Sequence, residues 1–225
     1  MVITEIFKSI QGEGSRAGWP CIFVRLTGCN LRCSWCDTAY AFHGGTTYSP
    51  DEVLERVRTL GGDNASRTSL VEITGGEPLL QPEIPRLAEQ LLAAGYTVMV
   101  ETSGERFIGV LPAGVIKIVD VKCPDSGEFG TFHLPNLEAV GKKDEIKFVI
   151  ASRRDFDFAR DFTARHHLPE RVHEVLFSPV FADPSGSWPG LHPRELAEWI
   201  LGEGLPVRLG LQLHKYVWDP RMKGV

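Results

Sequence analysis

Seven short runs of apolar and β-branched residues constrain this chain more than any other feature. They are PCIFVRLTG (20–28), SLVEIT (69–74), YTVMVE (96–101), VIKIVDV (115–121), EIKFVI (145–150), VHEVLFSP (172–179) and VRLGLQL (207–213). Nearly continuous apolar strands of this length fit a parallel sheet covered by helices. Helical stretches fall between several of them. Ser49-Pro50-Asp51-Glu52 offers an N-cap, a proline at the first helical position and a capping-box acid, opening a helix that runs to about Leu60 and stops at Gly61-Gly62. A second helix is expected over 83–94 before Gly95, a third from Ser152 with Asp155 in its first turn, and a fourth over about 193–203. The crossover 102–114 is too rich in turn residues to be a helix. The expected fold is α/β: one domain over 1–225, an incomplete TIM-like β/α barrel with about six core parallel strands and fewer helices. Chemistry in such folds gathers at the C-terminal ends of the strands. That puts the loop after residue 28, TGGEP, ETSG, DVK, SPV and LQLHK at one rim.

Composition narrows the function classes. The chain has 225 residues, 43% hydrophobic and 24% charged, as expected for a single globular domain. A net charge of −5 argues against a nucleic-acid partner, which needs clustered Lys and Arg. No run of about 18 apolar residues is present, so no membrane span is expected. The start, MVITEIFKSIQGEG, lacks the basic region and apolar run of a signal peptide, which makes a cytoplasmic location the expectation. Five cysteines stand at positions 21, 29, 33, 36 and 123. Three within eight residues do not read as a disulfide framework; in a reducing compartment such crowding points to thiolate ligands for a metal.

Cys29-Asn-Leu-Arg-Cys33-Ser-Trp-Cys36 directly follows an expected strand. Three thiolates on one short loop can hold three irons of a [4Fe–4S] cubane and leave the fourth iron open. S-adenosylmethionine (SAM) can chelate that iron through its amino and carboxylate groups, beside a reducible cluster. The competing reading is structural zinc, with His43 or Cys21 as fourth ligand. Further on, Gly75-Gly76-Glu77-Pro78 closes a strand. Two glycines allow a close backbone approach and expose carbonyl acceptors for a ligand ammonium. Taken alone it is a strand-to-helix turn. CxxxCxxC and GGEP together resemble the radical SAM superfamily.

Three segments narrow the resemblance: IFKSIQGEG at the start, CDTAYAF after the last cluster cysteine, and LQLHK near the end. With RLTGCN, TGGEP and ETSG between them, they resemble the 7-carboxy-7-deazaguanine synthase family, from about Ile3 to Lys215. The resemblance implies rearrangement of 6-carboxy-5,6,7,8-tetrahydropterin to 7-carboxy-7-deazaguanine with loss of ammonia. It also implies SAM as a reusable cofactor, Mg²⁺, a flavodoxin or ferredoxin reductant, and a homodimer. By position, it implies Cys29, Cys33 and Cys36 as cluster ligands and Thr38 as a Mg²⁺ ligand. SAM contacts would come from Trp35, Cys36, Asp37, Gly76, Glu77, Thr102, Ser103, Asp120, Val121, Lys122, Ser178 and Pro179. Pterin contacts would come from Ile10, Gln11, Gly12, Glu13, Arg25, Thr74, Glu101, Gln212, His214, Lys215 and Pro220. Arg25 would meet the pterin carboxylate, and Glu101 the adjacent N–H donors of its ring. Cys123 reads as a small buried residue. Two alternatives stand beside this reading: a glycyl-radical-enzyme activase, which would bind a protein partner, and a non-enzymatic zinc or iron–sulfur module.

Overall fold

The computed structural model describes residues 1–62 and 68–225. Nine strands among these residues form one sheet: β1 (Val2–Ile10), β2 (Pro20–Leu26), β3 (Thr46–Thr47), β4 (Leu70–Gly75), β5 (Thr97–Thr102), β6 (Ile116–Asp120), β7 (Glu145–Ile150), β8 (Glu174–Pro179) and β9 (Arg208–Leu209). Their spatial order is β3-β1-β2-β4-β5-β6-β7-β8-β9. Every neighbouring pair from β2 to β9 is parallel, whereas β1 runs antiparallel to both β2 and β3. The helices are α1 (Pro50–Gly61), α2 (Ile84–Ala93), α3 (Asn136–Ala139), α4 (Arg153–Arg165), α5 (Leu168–Arg171), α6 (Pro193–Glu203) and α7 (His214–Val217). This is the incomplete, mostly parallel α/β barrel that the apolar runs imply.

Local chemistry accounts for the main helices. At α1, Glu52 N–H donates to Ser49 Oγ over 3.2 Å and Ser49 N–H returns the bond to the Glu52 carboxylate over 2.7 Å. This reciprocal capping satisfies two of the amide donors a helix start leaves unpaired. Ser152 caps α4 through Asp155 N–H at 3.3 Å. The 102–114 crossover holds only a single 3₁₀ turn, Ile108–Val110, as its composition requires.

The strand runs are apolar on both faces because both faces are buried. On β4, Val71 and Ile73 pack outward in a cluster with Val53 and Val57 of α1 and Leu87 and Leu91 of α2. Farther along the same outer face, Phe148 and Phe177 join Phe156 of α4 and Leu196 and Ile200 of α6. Inward-facing Cys21, Phe23, Leu70, Met99, Ile116 and Ile118 fill the floor of the barrel. Each fully buried Val, Leu, Ile or Phe stabilises the fold by about 1.5–3 kcal/mol. Above that floor the inward positions turn polar, and there the barrel opens.

One expectation requires correction, and one strand was not expected. The final run, 207–213, contributes only the two-residue β9, and 212–217 breaks into a loop and the single turn α7. Just past β9 the chain passes close to β8: a Cβ at Gly210 would fall 2.5 Å from Ser178 Oγ, so this approach needs glycine. The N-terminal segment is a nine-residue strand that its mixed polar sequence does not announce. It forms a hairpin with β2 whose loop is closed by Gln11 N–H to Trp19 O and Gly18 N–H to Gln11 O, both 2.7 Å.

Candidate active site

The C-terminal ends of the parallel strands, the β1–β2 hairpin turn and the segment 212–215 enclose one cavity. Cys29, Cys33 and Cys36 reach it from the loop after β2, and Gly75 and Gly76 from the loop after β4. These two loops touch: Gly76 N–H donates to Leu26 O at 3.2 Å, and Glu77 N–H to Gly28 O at 2.9 Å. A Cβ at position 76 would lie 2.0 Å from Gly28 O, so this approach requires glycine.

Glu77 does not face the cavity. It is fully buried, and its carboxylate accepts from Leu79 N–H (2.9 Å), Thr102 Oγ1 (2.8 Å), Ser103 N–H (2.8 Å) and Ser103 Oγ (2.7 Å). This carboxylate ties the glycine loop to the end of β5. Thr102 and Ser103 themselves line the cavity.

The donor set suits an iron–sulfur cluster with one open iron. All three thiols sit on a single loop, and none is in a disulfide. Burial pushes each of them up, Cys33 to about 11, while the Lys122 ammonium counteracts this at all three. Metal charge supplies the remaining drive to thiolate. Cys21 is fully buried in the barrel floor, Cys123 is buried in the outer core, and neither these nor His43 lines the cavity. Among the described residues, no three His, Cys, Asp or Glu side chains gather around a single-ion position. Cys21 and His43, named as a fourth zinc ligand, lie off the cavity that the three loop cysteines reach.

A second ligand also has acceptors waiting. Asp120 ends β6 and is buried; its Oδ2 accepts from Lys122 Nζ at 2.6 Å, while its Oδ1 has no hydrogen-bond partner among the described residues. An orphaned buried carboxylate oxygen costs about 1–3 kcal/mol or more unless a ligand donates to it. Trp35, Asp37 and Thr38 line the same end. Thr38 Oγ1 donates to Asp37 Oδ1 at 2.9 Å, and Asp37 Oδ2 accepts from Lys215 Nζ at 2.5 Å. Burial opposes the Asp37 charge, but the Lys215 ammonium beside it holds the carboxyl well below the usual range.

The opposite wall is built differently. Arg25 of β2 donates its Nε to Glu5 of β1 over 2.8 Å, leaving its terminal nitrogens without a protein partner among the described residues. Phe7 and Phe23 stack at 5.0 Å beside it, a flat apolar surface. Ile10, Gln11, Gly12 and Glu13 enter from the hairpin turn, and Thr74 and Glu101 from the ends of β4 and β5. Glu13 Oε1 accepts from Gln212 Nε2 at 2.9 Å, and Gly12 O accepts from Leu213 N–H at 2.8 Å. Residues 199 positions apart thus meet across one pocket. His214 packs against Gly12, and its burial keeps the imidazole below its ordinary pKa.

Sequence reasoning placed four further residues in this site that the structure places elsewhere. Val121 packs in the outer core, because strand alternation points it away from Asp120 and Lys122. Ser178 and Pro179 are buried at the end of β8, Ser178 beneath Gly210; Val180 and Phe181 line the cavity instead. Pro220 stands off the cavity, whereas Val225 reaches it. Sequence reasoning also missed Glu72 and Lys147. Each is a charged residue inside an otherwise apolar strand run, and that interruption was the available signal. Lys147 Nζ contacts the Glu101 carboxylate closely and lies 3.1 Å from Glu13 Oε2.

Fold and site together define a radical SAM enzyme, a class built around a [4Fe–4S] cluster and SAM. A family model described as the Radical SAM superfamily matches residues 23–116, which span the cysteine loop and the glycine loop. The 7-carboxy-7-deazaguanine synthase of Koribacter versatilis is 53% identical, with all of both chains covered. That of Chlorobaculum tepidum is 42% identical over 99% of this chain and 96% of its own. The crystal structure of QueE from Escherichia coli shares the fold, with a TM-score of 0.72 at 24% identity, covering 95% of this chain and 94% of that one. The chain belongs to the 7-carboxy-7-deazaguanine synthase family. A match at this identity along the whole chain does not favour the activase reading or a non-enzymatic module.

Proposed function

We propose that this chain acts as one catalytic domain that converts 6-carboxy-5,6,7,8-tetrahydropterin to 7-carboxy-7-deazaguanine with loss of ammonia. The observation that carries the reading is a single cavity with two unlike walls. Three thiols and a glycine loop form one, and a free guanidinium face, a stacked aromatic pair and carboxylates form the other. When bound, the cluster and SAM supply a 5′-deoxyadenosyl radical for hydrogen abstraction.

The chain's own residues bind and orient. Cys29, Cys33 and Cys36 hold the cluster; Gly76, Thr102, Ser103, Asp120 and Lys122 surround SAM, with Trp35 along it. Arg25 receives the substrate carboxylate on its terminal nitrogens, a bidentate geometry that guanidinium suits. Glu101 accepts the two adjacent N–H donors of the pyrimidine edge, and Phe7 and Phe23 flank the ring. Gln11, Gly12, Glu13, Thr74, Gln212, His214 and Lys215 complete the pocket. Asp37 stands beside SAM, and Thr38 would give Mg²⁺ an oxygen donor of the kind it prefers. A flavodoxin or ferredoxin supplies the electron, and the working form is a homodimer.

The test is an anaerobic reaction of cluster-reconstituted protein with SAM, reductant, Mg²⁺ and the pterin, read by mass spectrometry. A deazaguanine carboxylate formed without stoichiometric loss of SAM is the expected result. SAM cleaved to 5′-deoxyadenosine with the pterin intact would overturn the substrate assignment.

A further inference from the structure

Three carboxylates and one ammonium crowd together in the lining of this cavity. Glu72 comes from β4, Glu101 from β5, Glu13 from the hairpin turn and Lys147 from β7. Lys147 is 7% exposed and pairs with Glu101 and Glu13. Among the described residues, no cation lies within ion-pair distance of Glu72, which is 2% exposed and accepts a hydrogen bond from Gln11 Nε2. One buried positive charge can compensate two carboxylates only in part, and a third charge in the same low-dielectric space is strongly unfavourable. Glu72 therefore keeps its proton: burial pushes it up first, and the charge of Glu101 on the neighbouring strand pushes it further. Burial works against the Lys147 charge, but Glu101 and Glu13 more than restore it.

We propose that Glu72, as a neutral carboxylic acid, and Lys147, as a buried ammonium, are paired positioning residues that hold the Glu101 carboxylate between them. Glu101 then meets a fused 2-aminopyrimidin-4-one ring as an ionised, pre-oriented acceptor of its two adjacent N–H donors. This deepens the proposed function and rests on it. Lys147 has a second task. With Glu145, two residues earlier on β7, it grips the hairpin turn, since Glu145 accepts from Ser15 N–H at 3.3 Å while Lys147 holds Glu13. The turn that closes the open side of the barrel is thus anchored to the strand that orients Glu101.

The experiment compares Glu72→Gln, Glu101→Gln, Lys147→Met and Lys147→Arg in the reconstituted holoenzyme. It reads KM and kcat for the pterin and, separately, the Kd of the redox-inert probe 6-carboxypterin by fluorescence. Iron content and circular dichroism of each variant report folding. An amide at position 72 still donates a hydrogen bond, whereas an amide at 101 replaces one acceptor with a donor. Glu101→Gln is expected to weaken probe binding at least tenfold more than Glu72→Gln does. Lys147→Met should raise KM and Kd at least tenfold, with Lys147→Arg recovering part of the loss. Equal damage from Glu72→Gln and Glu101→Gln would overturn the proposal, as would Lys147→Met binding the probe like the wild type. Should Lys147→Met fail to fold, the two glutamate variants decide alone, because each preserves volume. Wild-type protein that leaves the pterin unconverted would sink the proposed function itself; a converting wild type with the wrong variant pattern would sink only this inference.

Discussion

Lys215 and Asp37 lie 178 positions apart and meet at 2.5 Å, joining the chain's last helical turn to the loop that carries its three clustered cysteines. The cysteine loop is thereby held from outside itself. Lys215 is almost wholly buried, while Asp37 remains partly exposed, so solvent screens part of the attraction. Lys215→Met is expected to cost about 1 kcal/mol, read as a melting temperature lowered by about 2–4 °C. A double-mutant cycle with Asp37→Asn isolates the pair; zero coupling would show that the contact is incidental.

Glu77 collects four hydrogen bonds without touching the cavity. Glu77→Ala removes the acceptor of all four bonds and is expected to destabilise the protein by about 3 kcal/mol. Glu77→Gln, which keeps one acceptor oxygen, should lose roughly half as much. Chemical denaturation measures both. A loss under about 1 kcal/mol for the alanine variant would show that the carboxylate is not the tie between the glycine loop and β5.

At Gly12 a Cβ would stand 2.0 Å from His214 Nδ1. Gly12→Ala must displace the imidazole or the hairpin turn, and interiors packed this closely do not absorb such an overlap without strain. A KM for the pterin raised at least tenfold is the expected result. Unchanged kinetics would mean that the 212–215 segment moves freely away from the turn.

Cluster assembly separates the five cysteines into two groups. Alanine at 29, 33 or 36 should abolish the visible absorbance of the reconstituted protein and reduce bound iron well below four per chain. Alanine at Cys21 or Cys123, both buried in apolar clusters, should retain full iron and cost about 1–2 kcal/mol as small cavities. Loss of iron in either core variant would contradict the separation.

Glu72 also makes a statement about stability. An unfolded glutamate gives up its proton near pH 4.3, whereas Glu72 in the folded chain holds on to its own well above that. Between those points the native state binds more protons, so the contribution of Glu72 to stability falls as pH rises. Glu72→Gln removes the titration. Its stability relative to wild type, measured in urea on the metal-free protein, should improve steadily from about pH 5 to pH 8. A difference independent of pH would mean that Glu72 is ionised in the folded protein.

Much of this molecule is written locally. Short apolar runs, capping boxes and glycine stops are decided within ten residues, so six parallel strands and the four long helices stand where the sequence places them. The cysteine loop and the glycine loop are legible for the same reason: their chemistry depends on spacing within one turn of chain. What the sequence could not show is everything that depends on which strands become neighbours. Glu72, Glu101 and Lys147 look like isolated charges on three separate strands, and Glu13 like a residue in a surface turn. Only the parallel order of β4 to β7 and the fold-over of the β1–β2 hairpin bring them into one pocket, where the Lys147 ammonium pairs with Glu13 and Glu101 and Glu72 has no cation beside it among the described residues. The close approach of Gly210 to Ser178, 32 positions away, was equally hidden, because it is a tertiary contact. Backbone propensity is local and survives in the sequence, whereas electrostatic neighbourhood is a property of the assembled barrel.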